Sequence, residues 1–180
     1  LLPLDGYQAS EISRAESSCP AIARYLYLIR QSTESPEDKI RKQRHKYWLE
    51  CAMAVFLQSV HPKKVCEAWS DAAEALLLEA WKATELDKEP LTLYALGKLG
   101  ARELNMSADV DLMVLGSMPD PSITLSKLKG FKRLLEASTP FGFALRVDFD
   151  LRPEGKSGPL VVSIPAFQDH YWSRGETWER

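Results

Sequence analysis

An apolar run from Val110 to Leu115 is preceded by Asp109 and interrupted by Asp111. The run predicts a short buried strand, and because side chains alternate along a strand, the two aspartates project from the same face. Two carboxylates held together on a partly buried face repel each other and lose solvation. A divalent cation removes both penalties, since Mg²⁺ binds carboxylate oxygens together with the oxygens of a phosphate substrate. The pattern favours phosphoryl or nucleotidyl transfer.

A glycine turn precedes this strand along the chain. Residues 97–100 read Gly-Lys-Leu-Gly and follow an apolar stretch that predicts a strand. Glycines there allow the backbone to approach a ligand closely, and Lys98 adds positive charge. A Gly-x-x-Gly turn is more often only a turn, and an aspartate at a strand end is often only a cap. The combination of this turn, the acidic pair and a later strand with Asp148 is more specific than any one of its parts.

The first half of the chain, residues 1–88, has the apolar spacing of helices, and Pro20, Ser35-Pro36 and His61-Pro62 each mark a helix start. The residues predicted to be buried are Ile22, Tyr25, Leu26 and Ile29, then Ile40, Tyr47, Trp48, Cys51 and Val55, then Val65, Trp69, Ala72, Ala73, Leu76, Leu77 and Ala80. Trp48, Trp69 and Trp81 are expected to be packing residues. A solvated face that could touch phosphate is predicted for Lys39, Arg41, Lys42, Arg44 and Lys46.

After residue 88 the spacing changes to that of short strands. Strands are predicted at Leu91–Leu96, Val110–Leu115, Phe143–Leu151 and Leu160–Val162, and a helix at Ser122–Ala137. Pro165 is expected to open a last helix that carries Phe167, Tyr171, Trp172 and Trp178. We therefore predict an α+β fold in which a helical region, residues 1–88, packs on a small mixed-sheet domain, residues 89–164. Residues 165–180 are expected to begin a further helical region, and both chain ends to be cut from something longer.

The charge balance gives little reason to expect a nucleic-acid partner, because the formal net charge is −2 and the pI is near 6.0. No apolar run is long enough to cross a membrane, so no membrane partner is expected. Cys19, Cys51 and Cys66 lack metal-ligand spacing. They are expected to be buried thiols of a cytoplasmic protein.

The order of these motifs resembles the DNA polymerase β-type nucleotidyltransferase superfamily. The pattern consists of a strand, a Gly-Lys turn, an Asp-x-Asp pair on the next strand and a further aspartate on a later strand. In that superfamily the turn holds the phosphates of a nucleotide, and three carboxylates hold two metal ions.

A longer resemblance is to one family within it. Residues 97–112, 146–148, 151–161, 171–172 and 175–180 are similar to the glutamine synthetase adenylyltransferase/adenylyl-removing enzyme family. Its members attach AMP to a tyrosine of glutamine synthetase and remove it, which regulates nitrogen assimilation. Residues 157–161 and 178–180 look more like the amino-terminal domain of the family, the deadenylylating one. That domain uses inorganic phosphate to release the AMP as ADP.

The resemblance implies roles for individual residues. The implied metal ligands and catalytic residues are Asp109, Asp111 and Asp148. The implied nucleotide- or phosphate-binding residues are Gly97, Lys98, Gly100, Ser107 and Arg152. The implied cofactor is Mg²⁺, as two ions, with Mn²⁺ as a substitute. The implied partners are glutamine synthetase, ADP or ATP, phosphate and, through regions outside this sequence, a PII-type signalling protein.

Two residues depart from the usual pattern of the family. Ala101 stands where glycine is usual, which matters only if that position needs a positive φ. Asp150 stands where arginine is usual, and it is predicted on the same strand face as Asp148 and Arg152. There it could weaken phosphate binding, hold a cation or pair with a surface base. Two rival functions stay open: ATP-dependent adenylylation with the same carboxylates, and a non-catalytic nucleotide- or effector-binding module, for which Asp150 is the only sequence signal.

Overall fold

The first half of the chain is helical, as the spacing of its apolar residues predicts. The computed structural model describes residues 3–33, 35–57 and 60–175. The helices of this half are α1 (Ala9–Ser18), α2 (Pro20–Arg30), α3 (Pro36–Phe56) and α4 (Pro62–Ala83). Among the described residues, no helix combines the length and the apolar character that crossing a membrane requires.

The predicted helix starts are confirmed, and their caps explain them. Pro20, Pro36 and Pro62 each stand in the first turn of a helix, where a missing N–H costs nothing. The Ser35 hydroxyl accepts a hydrogen bond from the Asp38 N–H at 3.3 Å. His61 Nδ1 accepts from the Lys63 N–H at 3.2 Å. These caps satisfy backbone donors that a helix start leaves unpaired.

The second half contains short strands and three helices within the described residues. The strands are β1 (Leu91–Ala95), β2 (Val110–Gly116), β3 (Val147–Asp148) and β4 (Val161–Val162). The helices are α5 (Gly97–Gly100), α6 (Pro121–Glu136) and α7 (Ile164–Ser173). α7 carries Phe167, Tyr171 and Trp172 as predicted, whereas Trp178 and residues 176–180 lie outside the described part of the chain.

The strands form a mixed sheet around β2. β1 pairs antiparallel with β2, from Leu91 opposite Gly116 to Ala95 opposite Leu112. β3 and β4 both pair parallel with β2, with Asp111 opposite Asp148 and Val114 opposite Val161. Since β1 occupies one edge of β2, the two short strands share the other edge. The α+β prediction is confirmed.

One predicted strand is wrong in extent. Phe143–Leu151 was expected to be extended throughout, but only Val147–Asp148 pairs with the sheet. The strand ends because Asp148 Oδ1 accepts a hydrogen bond from the Asp150 N–H at 2.7 Å. This turn diverts the backbone from the ladder, as aspartate side chains often do.

The main core lies between α4, the sheet and α6. All seven residues of the predicted α4 stripe are buried, and Trp81 packs edge-to-face on Phe131 with ring centroids 5.4 Å apart. The same cluster includes Leu112, Val114 and Val161 of the sheet. Because this core runs across residue 88, α4 supports the sheet directly. The domain boundaries proposed from the sequence stay a prediction.

Two predictions about α3 are wrong. Val55 was expected in the core but is 54% exposed. Arg41 and Arg44 were expected on a solvated face but are buried, with 0% and 8% of their surface exposed. Of the three cysteines, Cys51 is buried and the other two are partly buried, and all three are free thiols.

Arg41 is buried because it supplies hydrogen-bond donors to three backbone carbonyls. Its Nε donates to Gly142 O at 2.7 Å, and one terminal nitrogen donates to Glu37 O at 2.6 Å. The other terminal nitrogen donates to Ala137 O, at the carboxyl end of α6. Carbonyls at a helix end lack partners within the helix and attract positive charge, so the guanidinium fits there. Burial lowers the Arg41 pKa, against the opposite effect of Asp38 and Glu37.

The same face of α3 holds the whole segment between α6 and β3. Asp38, Arg41 and His45 share a face, at spacings of three and four residues. Thr139 donates its hydroxyl to Asp38 Oδ1 at 2.7 Å, and His45 Nε2 donates to Phe141 O at 2.6 Å. The helical half therefore fixes the segment that leads into Asp148.

His45 makes the stability of the fold depend on pH. Burial lowers the pKa of His45 from 6.5 to about 4, and the charges of Arg44, Arg24 and Arg41 act in the same direction, while its bond to Phe141 O opposes them. The unfolded chain therefore binds a proton near pH 6.5 that the folded chain binds only near pH 4. As the pH falls through this window, we expect the free energy of unfolding to fall by up to about 3 kcal/mol.

Urea unfolding at pH 7 and pH 4.5 measures this loss. His45→Gln should remove most of it, whereas His61→Asn, which keeps a capping acceptor at an exposed helix start, should retain it. Equal losses in both variants would contradict the role of His45.

Candidate active site

Asp111 and Asp148 are neighbours because β2 and β3 pair in parallel with these two residues opposite each other. Neighbouring strands lie about 4.8 Å apart, and aligned residues point to the same face. Asp109 lies directly before β2 and two residues from Asp111. The sheet therefore brings together the three carboxylates that the sequence singles out.

The electrostatics of Asp111 reflect this convergence. Burial raises the Asp111 pKa above its ordinary value of 3.8, and the charges of Asp148 and then Asp109 raise it further. Lys98 lowers it in part. Asp111 is thus a partly buried carboxylate among like charges, where a bound cation would be favourable.

The glycine turn lies against the carboxylate of Asp111. The Leu96 N–H donates to Asp111 O at 2.8 Å, so the chain leaves β1 beside this residue. Gly97 has a φ of +51°, and a Cβ there would lie 2.4 Å from Asp111 Oδ2. Both observations require glycine at this position. The next residue, Lys98, is exposed beside the same carboxylate.

The end of the turn explains one departure from the family pattern. A Cβ on Gly100 would lie 2.6 Å from Ala95 O, so this glycine allows the turn to pack on the end of β1. Ala101 has a φ of −80°, which any residue adopts. Alanine in place of the usual glycine therefore costs no backbone strain.

Arg146 is a site residue that sequence reasoning missed. Its Nε donates to Asp109 Oδ1, and a terminal nitrogen donates to Ser107 O at 2.7 Å. Ser107 is exposed, and its N–H donates to Asn105 Oδ1 at 3.1 Å. The available signal was the place of Arg146 two residues before Asp148, on the same strand segment.

Asp150 does not share a strand face with Asp148, so that prediction is wrong. β3 ends at Asp148, and Asp150 lies in the following turn. Its carboxylate pairs with Lys156 at 3.3 Å and with Arg152 at 3.6 Å. Among the three readings of Asp150, this geometry favours pairing with a base.

Arg152 holds the loop after β3 together. Its side chain is 10% exposed, and it donates to Phe149 O at 2.7 Å and to Gly158 O at 3.2 Å. Three of its donors thus satisfy backbone carbonyls of the loop that leads to β4. Its role toward phosphate stays a prediction.

Two clefts flank Asp148. The acidic cleft, of about 410 Å³, is lined by Asp109, Glu136, Phe143, Arg146, Val147 and Asp148. The basic cleft, of about 430 Å³, has among its lining residues the bases Lys129, Lys132, Arg152 and Lys156 and the acids Asp148 and Asp150. An anionic substrate can therefore approach Asp148 from a side rich in positive charge.

Two side chains of α6 support β3 and were also missed. Glu136 Oε1 accepts from the Val147 N–H at 2.9 Å, and Lys132 Nζ donates to Val147 O at 3.1 Å. They satisfy the outer backbone groups of β3, which the sheet leaves unpaired at this position. Their spacing of four residues on a helix is common for surface ion pairs, so no sequence signal assigned them to the site.

The donor chemistry of the three aspartates fits a hard divalent cation. Within residues 3–33, 35–57 and 60–175, no three or more His, Cys, Asp or Glu side chains are already arranged around a common metal position. The reason is visible for two of the aspartates: Asp109 is bound by Arg146, and Asp148 Oδ1 accepts from Asp150. The three side chains are nonetheless all carboxylates, the oxygen donors that Mg²⁺ prefers, and burial and like charges raise the Asp111 pKa.

Comparison with known sequences identifies similar proteins. Residues 4–180 match the family described as Glutamate-ammonia ligase adenylyltransferase. A bifunctional glutamine synthetase adenylyltransferase/adenylyl-removing enzyme of Haemophilus ducreyi is 36% identical over 78% of this chain and 17% of its own length. Enzymes of the same name from Shewanella woodyi and Vibrio parahaemolyticus are 33% and 29% identical over 83% and 95% of this chain. The chain spans about a fifth of the length of these relatives.

Proposed function

The chain belongs to the glutamate–ammonia ligase adenylyltransferase family, and from that premise we propose that its three-aspartate site removes AMP from glutamine synthetase by phosphorolysis. In this reaction an oxygen of inorganic phosphate bonds to the phosphorus of the tyrosine-bound AMP. The bond from that phosphorus to the tyrosine oxygen breaks, ADP leaves, and the tyrosine oxygen takes up a proton. Glutamine synthetase is thus the proposed protein substrate.

The observation that carries this proposal is the surroundings of Asp111. It lies opposite Asp148, near Asp109 and against the Gly97 turn, and its pKa is raised by burial and further by the charges of Asp148 and Asp109. Asp109, Asp111 and Asp148 would hold Mg²⁺, or Mn²⁺ in its place. A bound ion of this kind neutralises phosphate charge and polarises the phosphorus under attack. Most of the catalysis then comes from positioning and charge neutralisation.

The basic cleft supports the use of a separate phosphate. Four bases line it, Lys129, Lys132, Arg152 and Lys156, against two acids, Asp148 and Asp150, and Arg152 and Lys156 pair with Asp150. Phosphorolysis requires an inorganic anion beside the nucleotide, whereas adenylylation by ATP brings all its phosphates in one molecule. A side of the site that concentrates positive charge suits the first reaction better.

The signal for a non-catalytic module has a local explanation. Asp150 was the only sequence feature behind that alternative, and its charge is balanced by Lys156 and Arg152. It therefore adds no unpaired negative charge beside Asp148. The partnership with a PII-type signalling protein concerns regions outside this sequence and stays a prediction.

ADP release tests the proposed function. The 180-residue chain is incubated with adenylylated glutamine synthetase, Mg²⁺ and phosphate, and ADP is measured against a reaction without phosphate. Phosphate-dependent ADP release is expected. Incorporation of AMP from labelled ATP into unmodified glutamine synthetase would instead establish the forward reaction. The proposal would be overturned if the chain showed neither activity and calorimetry detected no binding of ADP with Mg²⁺.

Lys98→Ala should weaken the binding of ADP with Mg²⁺ by about tenfold to a hundredfold, the worth of one hydrogen bond to a charged group. Lys98 is exposed beside Asp111, so its loss should leave folding intact. Calorimetric titration measures the affinity. Lys82→Ala, an exposed lysine near the end of α4, is the matched control and should bind ADP normally. An unchanged affinity in Lys98→Ala would leave the turn with a purely structural role.

A further inference from the structure

A third cleft lies where the helical half meets the sheet. This junction cleft, of about 300 Å³, has among its lining residues Tyr25, Arg44, Trp48, Trp69, Phe143 and Arg146. It shares Phe143 and Arg146 with the acidic cleft and no lining residue with the basic cleft. Ser107 and Arg146 connect this cleft to the candidate active site, whereas the proposed reaction gives Arg44 no role.

Arg44 is a buried cation in this cleft without an acidic partner. It is 8% exposed, and its Nε has no hydrogen-bond partner within the described residues. A terminal nitrogen lies 3.5 Å from His45 Nδ1, which is at the limit of a hydrogen bond. None of the ion pairs found among the described residues includes Arg44. A buried charge without a counter-charge is costly.

Aromatic rings offset only part of that cost. The guanidinium carbon lies 5.4 Å from the ring centroid of Tyr25 and 5.4 Å from that of Trp69. Such contacts stabilise a desolvated cation by about 2 kcal/mol, less than an ion pair with good hydrogen bonds can offer. They also orient the planar group, and a guanidinium with fixed donors is well suited to binding an oxyanion through two oxygens.

The cleft as a whole is positively charged. Among the described residues no acidic side chain lines it, and Arg146, which pairs with Asp109 outside the cleft, borders it in addition to Arg44. Arg24 and Arg41 are near enough to act on His45 with the same sign as Arg44. We propose that the junction cleft binds a small oxyanion, a carboxylate or a phosphate, through the guanidinium of Arg44.

The volume and the lining residues of the cleft limit the size and chemistry of a ligand that fits it. A volume of about 300 Å³ is at the lower end of the range for small-molecule sites. It suits a metabolite-sized anion. Trp48, Trp69 and Phe143 offer apolar surface for the rest of such a molecule. Carboxylate and phosphate share the oxyanion chemistry that Arg44 recognises, so the choice between them is a matter for experiment.

Calorimetric titration without nucleotide or Mg²⁺ tests the site. Phosphate is also the proposed co-substrate, so binding is assigned to the junction cleft only where a variant of Arg44 weakens it. The 180-residue chain is titrated with sodium phosphate and, separately, with sodium succinate at constant ionic strength. Saturable binding of at least one probe is expected, and Arg44→Met should weaken it tenfold or more. Lys46→Met removes an equal charge from an exposed position of the same helix and should change the affinity less than twofold. Preference for one probe identifies the chemical class.

A stability measurement distinguishes a loss of anion binding from a loss of folding in the Arg44 variants. Because Arg44→Met removes an unpaired buried charge, the variant should melt at the same temperature as the original chain, or higher, when no anion is present. Adding the preferred probe should not raise the melting temperature of the variant. If Arg44→Met does not fold, Arg44→Lys decides: it keeps the charge but not the planar fork, and should weaken binding several-fold. Absence of saturable binding, or binding that the folded Arg44 variants leave unchanged, would overturn the proposal.

Discussion

Asp111→Asn is expected to lower the rate of ADP release by about a thousandfold or more while the fold stays intact. Asparagine has the shape of aspartate but not its charge, so the proposed metal site loses the charge of its central carboxylate. Loss of that charge neutralisation removes several kcal/mol of transition-state stabilisation, which corresponds to this factor in rate. Single-turnover assays with adenylylated glutamine synthetase measure it. Asp109→Asn should act in the same way.

Although Asp111→Asn should lower the rate, it should leave the thermal stability unchanged or raise it. The Asp111 pKa is raised in the folded chain by burial and by its acidic neighbours. An acid with a raised folded pKa favours folding when protonated, and this contribution is lost as pH rises through the folded pKa. At neutral pH without metal, the variant should therefore melt at an equal or higher temperature than the original chain. Its advantage should disappear as the pH falls toward 3.8, the ordinary pKa of the group.

Mg²⁺ provides the second half of this test. It should raise the melting temperature of the original chain and have little effect on Asp111→Asn. Asp120→Asn is the matched control, because Asp120 caps α6 through the N–H groups of Ser122 and Ile123, and asparagine caps a helix equally well. Full activity in Asp111→Asn, with normal activity in the control, would refute the assignment of the metal site.

Local signals predicted most of the helices and three of the four strands among the described residues. The starts of α3 and α4 follow from Ser35-Pro36 and His61-Pro62, because caps act over three or four residues. The α4 stripe from Val65 to Ala80 and the apolar run of β2 are equally local patterns. Periodicity reports which face is buried and needs no knowledge of the partner.

The misjudged features depend on partners that are distant in sequence. Arg41 bonds to Gly142, 101 residues away, and His45 bonds to Phe141, 96 residues away. Nothing near Arg41 in the sequence indicates that carbonyls are available to it, so a solvated face was the natural expectation. Bonds from α3 hold residues 137–142 as a loop, and the N–H groups of Ala144 and Leu145 donate to Leu135 O of α6. The predicted strand over Phe143–Leu151 therefore begins only at Val147.

Sequence reasoning singled out the three aspartates and Lys98 of the candidate site but not Arg146, Lys132 or Glu136. The pairing of Asp111 with Asp148 requires only that two strands lie side by side in register, and both strands carry a visible motif. Arg146 and Lys132 act through Asp109 and the backbone of Val147. Basic residues are common on surfaces, and only the folded geometry distinguishes those that hold the site together.

Arg41→Met is expected to lower the free energy of unfolding by about 3–5 kcal/mol, the cost of breaking a buried charged network. For a chain of this size that corresponds to a melting temperature roughly 10 °C lower. The reason is that carbonyls of Glu37, Ala137 and Gly142 would lose their donors in a place where Arg41 is 0% exposed. Urea unfolding followed by circular dichroism measures the change.

The controls for Arg41→Met separate its geometry from its charge. Arg41→Lys should recover only part of the loss, since one ammonium group cannot reproduce a planar fork that reaches three carbonyls. Arg30→Met removes an arginine that is 63% exposed and pairs with Glu16 at 4.0 Å, and should cost under about 1 kcal/mol. A loss of that small size in Arg41→Met would mean that the segment between α6 and β3 does not depend on α3. The expected large loss should be accompanied by reduced ADP release, because the segment that Arg41 holds leads directly into Asp148 of the site.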